Sequence, residues 1–220
     1  ETTYFSPGST AAPVRFRGYN LGLSLGLELD EDRVTRLKEA GADLIINLAA
    51  IPFRIGDEDR YLEELSRLAK TARIPILRAS QVGGNDGLIF CGGSLGVDQT
   101  GNLIAKLPDF QTAGAMVDLQ APGMQVEREV QDETEQVYQA LVLGVRDYMR
   151  KCGMQNIIIG LSGGLDSAVS ACIAAEAVGP ECVWGITQPG PFSSAGSVED
   201  AQTLAENLGI RFDILPISEL

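Results

Sequence analysis

The sequence predicts an α/β chain built in two parts, and three observations carry that reading. Apolar runs with strand character alternate with stretches of helical periodicity along most of the 220 residues. The composition shifts at "DLQAPGMQVEREVQDETEQ" (118–136), where Pro and Gly give way to acids and glutamines, as a linker does on entering a helix. Then "IIIGLSGGLDSAVSACIAAEA" (157–177) sets a strand, a loop of serines, glycines and one aspartate, and a helix end to end. The boundary is placed near residue 125, giving parts 1–125 and 126–220.

In the first part, "YNLGLSLGLEL" (19–29) alternates as a strand, and "DEDRVTRLKEA" (30–40) follows as a helix with acids in its first turn and Lys38 near its end. Gly41 suits the position after that helix. "DLIINLAA" (43–50) is a β-rich apolar run, and Tyr61, Leu65, Leu68, Ala69 and Ala72 recur at helical spacing within 58–73. Residues 74–82, 87–98 and 101–110 read as three further strands, the last two joined by the turn "DQTG". In the second part the expected order is helix 132–152, strand 156–161, helix 165–178, strand 181–187, helix 196–208 and strand 211–215. Strands separated by helices of this length imply right-handed crossovers and a parallel sheet.

Composition removes several classes of function. Lys and Arg total 17 against 30 Asp and Glu, so 17 − 30 = −13, a charge that repels nucleic acid. Histidine is absent, which rules out Ser-His-Asp and Cys-His catalysis and any His-bearing zinc site within this chain. The four cysteines, Cys91, Cys152, Cys172 and Cys182, have no metal-binding spacing and read as reduced core thiols. Cys172 is assigned to a core face with Leu165, Ala168, Val169 and Ile173. No run approaches about 18 apolar residues, so no membrane partner is expected and the compartment reads as cytoplasmic. The start "ETTYFSPG" lacks Met, and the chain reads as an excerpt of a longer one.

The loop after residue 161 has a physical reading of its own. Ser162, Gly163 and Gly164 followed by a helix starting near Leu165 put backbone N–H groups and a helix N-terminus at the carboxyl edge of a parallel sheet. That is an anion site, and the hydroxyls of Ser162 and Ser167 add donors suited to a polyphosphate. Asp166 repels such an anion unless a cation lies between them, and Mg²⁺ characteristically bridges one or two carboxylates to phosphate oxygens. The loop has no Walker Lys and no G-x-G-x-x-G spacing.

"SGGLDS" (162–167) resembles the PP-loop of the N-type ATP pyrophosphatases. The stretch from Gly160 to residue 217 is similar throughout to the synthetase domain of glutamine-dependent NAD synthetases, with "QPGPFSSAGSVEDA" (188–201) carrying Gly190 and Phe192 where that family has Ser and Tyr. The first part resembles the same family's nitrilase-like amidase domain through "ETTYFSPG", "GADLIINLAAIPF" (41–53) and "QVGGNDGLIFCGGS" (81–94). The resemblance implies a partial nitrilase-like α-β-β-α domain followed by a partial Rossmann-like parallel-sheet PP-loop domain. It implies ATP bound by Gly160, Leu161, Ser162, Gly163, Gly164, Leu165, Asp166 and Ser167, with Mg²⁺ on Asp166. Gln188, Ser193, Ser194 and Ser197 would face nucleotide or substrate; a serine-rich helix cap is the competing reading of the three serines. The implied reaction adenylates deamido-NAD and amidates it, in a parent protein expected to be a homo-oligomer.

The amidase comparison gives a negative result. The family's nucleophile lies in a Gly-Val-x-Ile-Cys-Glu-Asp stretch, and the matching "GLSLGLE" (22–28) has Gly26 at the cysteine. Ile51, Asp57 and Cys91 also replace a serine, a basic residue and an aspartate. Cys91 has no basic neighbour in sequence to stabilise a thiolate and reads as a core thiol. Ammonia rather than glutamine is thus the expected nitrogen donor. Two rival readings are another PP-loop ATP pyrophosphatase and a non-catalytic nucleotide-binding fragment.

Overall fold

The computed structural model describes residues 12–119, 126 and 132–217. The expected boundary near 125 and the "ETTYFSPG" stretch lie outside the described residues. The chain divides into two compact units, Glu1–Gly83 with Ile89–Glu133, and Gly84–Leu88 with Thr134–Leu220. No composition shift marks the assignment of Gly84–Leu88 to the second unit.

The first unit contains a six-stranded sheet in the order β1-β2-β3-β4-β7-β8, from β1 (Val14–Phe16), β2 (Tyr19–Leu25), β3 (Leu44–Ala49), β4 (Ile76–Ser80), β7 (Leu95–Val97) and β8 (Leu103–Lys106). β2, β3 and β4 are parallel, connected through α1 (Glu31–Glu39) and α2 (Asp57–Ala72). The Asp30 side chain accepts from the Arg33 N–H at 2.7 Å and starts α1, while Val34 and Leu37 turn inward. Gly41, at φ +90°, reverses the chain just after it, a backbone state that suits glycine. Leu65 and Leu68 of α2 are buried against Ile45, Ile74 and Ile76, and each leucine contributes about 1.5–3 kcal/mol of apolar burial.

Register fixes the two faces of this sheet. Ser24, Asn47 and Arg78 align across β2, β3 and β4 on the helix-covered side, in the same phase as core residues Ile45 and Ile76. The intervening rows, Leu23–Ile46–Leu77 and Leu25–Leu48–Ala79, point the other way; Leu25 is 59% exposed and Leu48 50%.

Residues 87–98, expected as one strand, form two. β6 (Leu88–Cys91) pairs with β5 (Val82–Asn85) in a separate two-stranded sheet, and β7 joins the large one. The break is at Gly92 and Gly93, both at positive φ, where the chain changes sheet. The strand expected at 101–110 is only four residues long, and β1 was not expected.

The second unit holds α3 (Glu133–Cys152) and a parallel sheet β11-β10-β9, made of β9 (Ile157–Gly160), β10 (Val183–Thr187) and β11 (Arg211–Ile214). α4 (Leu165–Val178) and α5 (Ala195–Leu208) are the crossovers. Leu161, Ala171, Ala174, Val183, Ala201, Ala205 and Ile210 form its core. Gly185 leaves room there for Leu161, whose Cδ1 would lie 2.7 Å from an added Cβ and would have to shift. The face assigned to α4 is corrected: Leu165 is 78% exposed and Val169 46%, whereas Ala171, Ala174 and Ala177 are buried. The helix is apolar nearly all round, so periodicity could not select its inner face. The cysteines are corrected too, with Cys152 exposed and the other three partly so. Among the described residues no helix is long and apolar enough to cross a membrane.

Candidate functional site

The loop between β9 and α4 stands at the carboxyl end of the parallel sheet, as the strand-loop-helix pattern requires. Leu161 anchors it, with its N–H donating to the Ile186 carbonyl at 2.8 Å and its side chain buried. Gly164 is the N-cap of α4 and offers no capping side chain. The first-turn N–H groups of that helix are left for a ligand or water. α1 and α5, by contrast, are capped by Asp30 and Ser194.

The two loop serines hold the cradle in shape. The Ser162 N–H donates to Ser167 Oγ at 3.2 Å, the Gly164 N–H donates to Ser162 Oγ at 3.2 Å, and Ser167 Oγ donates to the Gly164 carbonyl at 2.9 Å. The hydroxyls lie 3.0 Å apart; with the Ser167 proton already committed, Ser162 is the donor between them. Asp166 is exposed in the first turn of α4.

Gly163 has a second reason to be glycine. It sits at φ +76°, and a Cβ there would fall 2.4 Å from the Ser197 carbonyl oxygen and 2.8 Å from Ser197 Cα. The first turn of α5 is pressed directly on the loop. Between them lies a cavity of about 270 Å³ lined by Gly163, Gly164 and Ser167 from the loop side and by Asp200, Ala201 and Leu204 from α5. Those three α5 residues were missed in the sequence; their i, i+1, i+4 spacing after Ser197 puts them on the loop-facing side only once the crossover is known.

The serines of 188–197 are engaged locally. Ser194 Oγ accepts from the Ser197 N–H at 3.1 Å as N-cap of α5, and Ser193 Oγ accepts from the Gly190 N–H at 2.9 Å. This geometry fits the capping reading. Gln188 is exposed just beyond the end of β10.

In the first unit, Gly26 follows β2 at φ +53°, with its N–H on the Leu48 carbonyl at 2.8 Å and its carbonyl accepting from Asn47 Nδ2 at 3.1 Å. A Cβ on Gly26 would meet no atom within 4 Å. Cys91 does have a basic neighbour in space, Lys106, brought near by the fold rather than by sequence. Lys106 Nζ is paired at 2.9 Å with both Glu58 and Asp109, and burial followed by the Asp109 charge pushes the Cys91 thiol up to about 11. A neutral thiol is no nucleophile at pH 7.

Comparison with known proteins gives two family matches, one over each part of the chain. A carbon-nitrogen hydrolase model matches residues 1–128 and an NAD synthase model matches residues 137–220. The chain belongs to the carbon-nitrogen hydrolase family over its first part, joined to an NAD synthase segment. Glutamine-dependent NAD synthetases match across both parts. The Synechocystis glutamine-dependent NAD(+) synthetase is 37% identical over the whole chain, and that of Thermotoga maritima 33%. The chain spans 42% and 45% of those relatives. The Acinetobacter baumannii glutamine-dependent NAD⁺ synthetase structure, in complex with ADP, superposes over 99% of this chain and 42% of its own, with a TM-score of 0.88 at 30% identity. The Cytophaga hutchinsonii synthetase shares the fold over 95% of this chain and 40% of its own, with a TM-score of 0.75 at 19% identity.

Proposed function

We propose that the loop 160–167 binds ATP with Mg²⁺, and that the protein containing this chain uses it to amidate deamido-NAD with ammonia. The observation that carries this reading is the uncapped N-terminus of α4 behind the Ser162–Ser167 cradle, at the carboxyl edge of the β9–β10–β11 sheet. The ADP complex of a 30% identical relative supports a nucleotide as the ligand.

The Mg²⁺ assignment fits the donor set. Asp166 supplies one hard oxygen ligand beside the cradle, and no group of three or more metal-binding side chains occurs among the described residues. One carboxylate is what a cation shared with phosphates needs; its charge there offsets that of the polyphosphate. Gly163, Gly164 and the first-turn N–H groups of α4 would hold the pyrophosphate end, and Ser162 and Ser167 would orient it. A carboxylate oxygen of deamido-NAD then attacks the α-phosphorus, the bond to the β-phosphate oxygen breaks, and pyrophosphate leaves. Ammonia next attacks the carbonyl carbon of the adenylate, the acyl C–O bond breaks, AMP departs and a proton is released. The chain's contribution is alignment and charge neutralisation.

Ammonia is preferred to glutamine because Gly26 offers no thiolate and Cys91 is held protonated. Calorimetric titration of this chain with ATP·Mg²⁺, beside a Ser162→Ala, Ser167→Ala double variant, tests the site. Binding by the native chain and its loss in the variant are expected; equal binding by both would remove the loop from the site.

A further inference from the structure

The tip of the β5–β6 hairpin is the two-residue turn Asp86–Gly87, and this is the only Asp-Gly pair in the sequence. Asp86 sits at φ +50°, whereas Gly87 is not at positive φ. A two-residue turn of that sense favours glycine at its first position, because a side chain there is strained; here the glycine stands second. Such strain persists where the flanking structure enforces it. On the β5 side it does: the Gly84 N–H donates to Asp147 Oδ2 at 2.9 Å, and Lys151 Nζ donates to the Gly84 carbonyl. A Cβ on Gly84 would lie 3.3 Å from Gly144 Cα, so the strand end rests directly on α3.

The groups at the tip are open. Asp86 and Gly87 are both exposed; among the described residues the Asp86 carboxylate makes no hydrogen bond or ion pair, and the Gly87 N–H has no acceptor. A Cβ on Gly87 would meet no atom within 4 Å, so no neighbour shields its nitrogen. In an Asp-Gly pair that nitrogen can close a five-membered ring on the side-chain carboxyl carbon, and glycine has no side chain to obstruct the closure. Asp166, followed by Ser167, is exposed too, but it lies within α4, whose fixed φ and ψ oppose ring closure.

We propose that Asp86 is a site of spontaneous isoaspartate formation, with water as the only co-reactant. The Gly87 nitrogen attacks Asp86 Cγ, the Cγ–OH bond breaks, and the hydroxyl leaves with the nitrogen's proton as water, giving a succinimide. Water then adds to the Asp86 main-chain carbonyl carbon and the bond from that carbon to the Gly87 nitrogen breaks. The peptide link now runs through Cγ, the former main-chain carbonyl is a free carboxylate, and no electrons are exchanged. The extra methylene in the main chain releases the left-handed turn. The site is independent of the nucleotide loop, and neither reading depends on the other.

The test incubates the 220-residue chain at neutral pH, labels isoaspartate by enzymatic methyl transfer from S-adenosylmethionine, and locates the label by peptide mass spectrometry. Label is expected on the peptide containing Asp86, preceded by a species one water lighter, with the peptide containing Asp166 at background. Asp86→Gly should lose the label altogether, and glycine takes φ +50° freely, so this variant folds. Gly87→Val, at a position with open space and no positive φ, should slow labelling about ten-fold, since a β-branched side chain crowds the attacking nitrogen. Absence of label at Asp86, or equal label at Asp86 and Asp166, overturns the proposal. An unchanged rate in Gly87→Val overturns it as well, because the Gly87 nitrogen would then not be the nucleophile.

Discussion

The missing side chain of Gly163 faces the Ser197 carbonyl oxygen, and a Cβ there would lie 2.4 Å away. Loop and α5 are in backbone contact at this point. Gly163→Ala combines left-handed backbone strain with overpacking, and should destabilise the second unit by about 2–4 kcal/mol. Gly164 has φ −93°, and its nearest obstacle is Ser162 Oγ at 3.2 Å, so Gly164→Ala should cost under about 1 kcal/mol. Urea unfolding of the two variants measures the difference; equal losses would show that α5 does not rest on Gly163.

Asp166→Asn separates the metal from the phosphates. With Mg²⁺ present, ATP affinity should fall about ten-fold, a change of about 1.4 kcal/mol. Without Mg²⁺ the same substitution removes a negative charge beside a polyphosphate, so affinity should hold or rise. Calorimetry with and without the cation reads both arms, and equal losses in the two would end the metal role of this residue.

Cys91 gives a pH dependence of known sign. Its thiol titrates near 11 in the folded chain against 9.0 for an ordinary thiol. Between those values the unfolded chain releases the proton and the folded one keeps it, so ν_U − ν_N is negative and stability falls as pH rises from about 9 to about 11. Cys91→Ser removes that dependence. Urea midpoints across this range, native beside variant, decide it; parallel curves would mean that Cys91 titrates normally.

The proposed nitrogen donor is tested by the amidation reaction itself. Ammonium should support AMP formation from ATP and deamido-NAD, and glutamine should not, since loss of a covalent nucleophile costs several orders of magnitude. In Gly26→Cys the added Cβ meets no atom within 4 Å, yet the residue must adopt φ +53°, at a cost of about 1–3 kcal/mol. Efficient use of glutamine by the native protein, retained in Cys91→Ala, would mean that another nucleophile is present.

The sequence made the repeating parts of this fold legible. β2, α1, β3 and α2 follow from alternation at 19–25, the Asp30 cap and the Leu65/Leu68 spacing, all of which are local signals. The loop at 162–167 was legible for the same reason. Gly92 and Gly93 were not read as a change of sheet, because a glycine pair in a strand-like run carries no mark of where the next strand will pair. Lys106 beside Cys91 and the α5 wall of Asp200, Ala201 and Leu204 depend on elements distant in sequence. Arg78 carries no sequence signal of burial; the register with Asn47 puts it on the helix-covered side.

The alternation that makes β2 and β3 recognisable also has a bearing on handling the chain in solution. Leu23, Leu25 and Leu48, with Val14 and Phe16 on the neighbouring strand, leave a sheet surface whose outward residues are as oily as its inward ones. Water against so broad an apolar patch favours sticking over dispersal, and a net charge of −13 opposes it only while salt is low. The chain should therefore stay clear in dilute buffer and scatter light increasingly as sodium chloride is added, a colloidal behaviour set by one uncovered face rather than by unfolding.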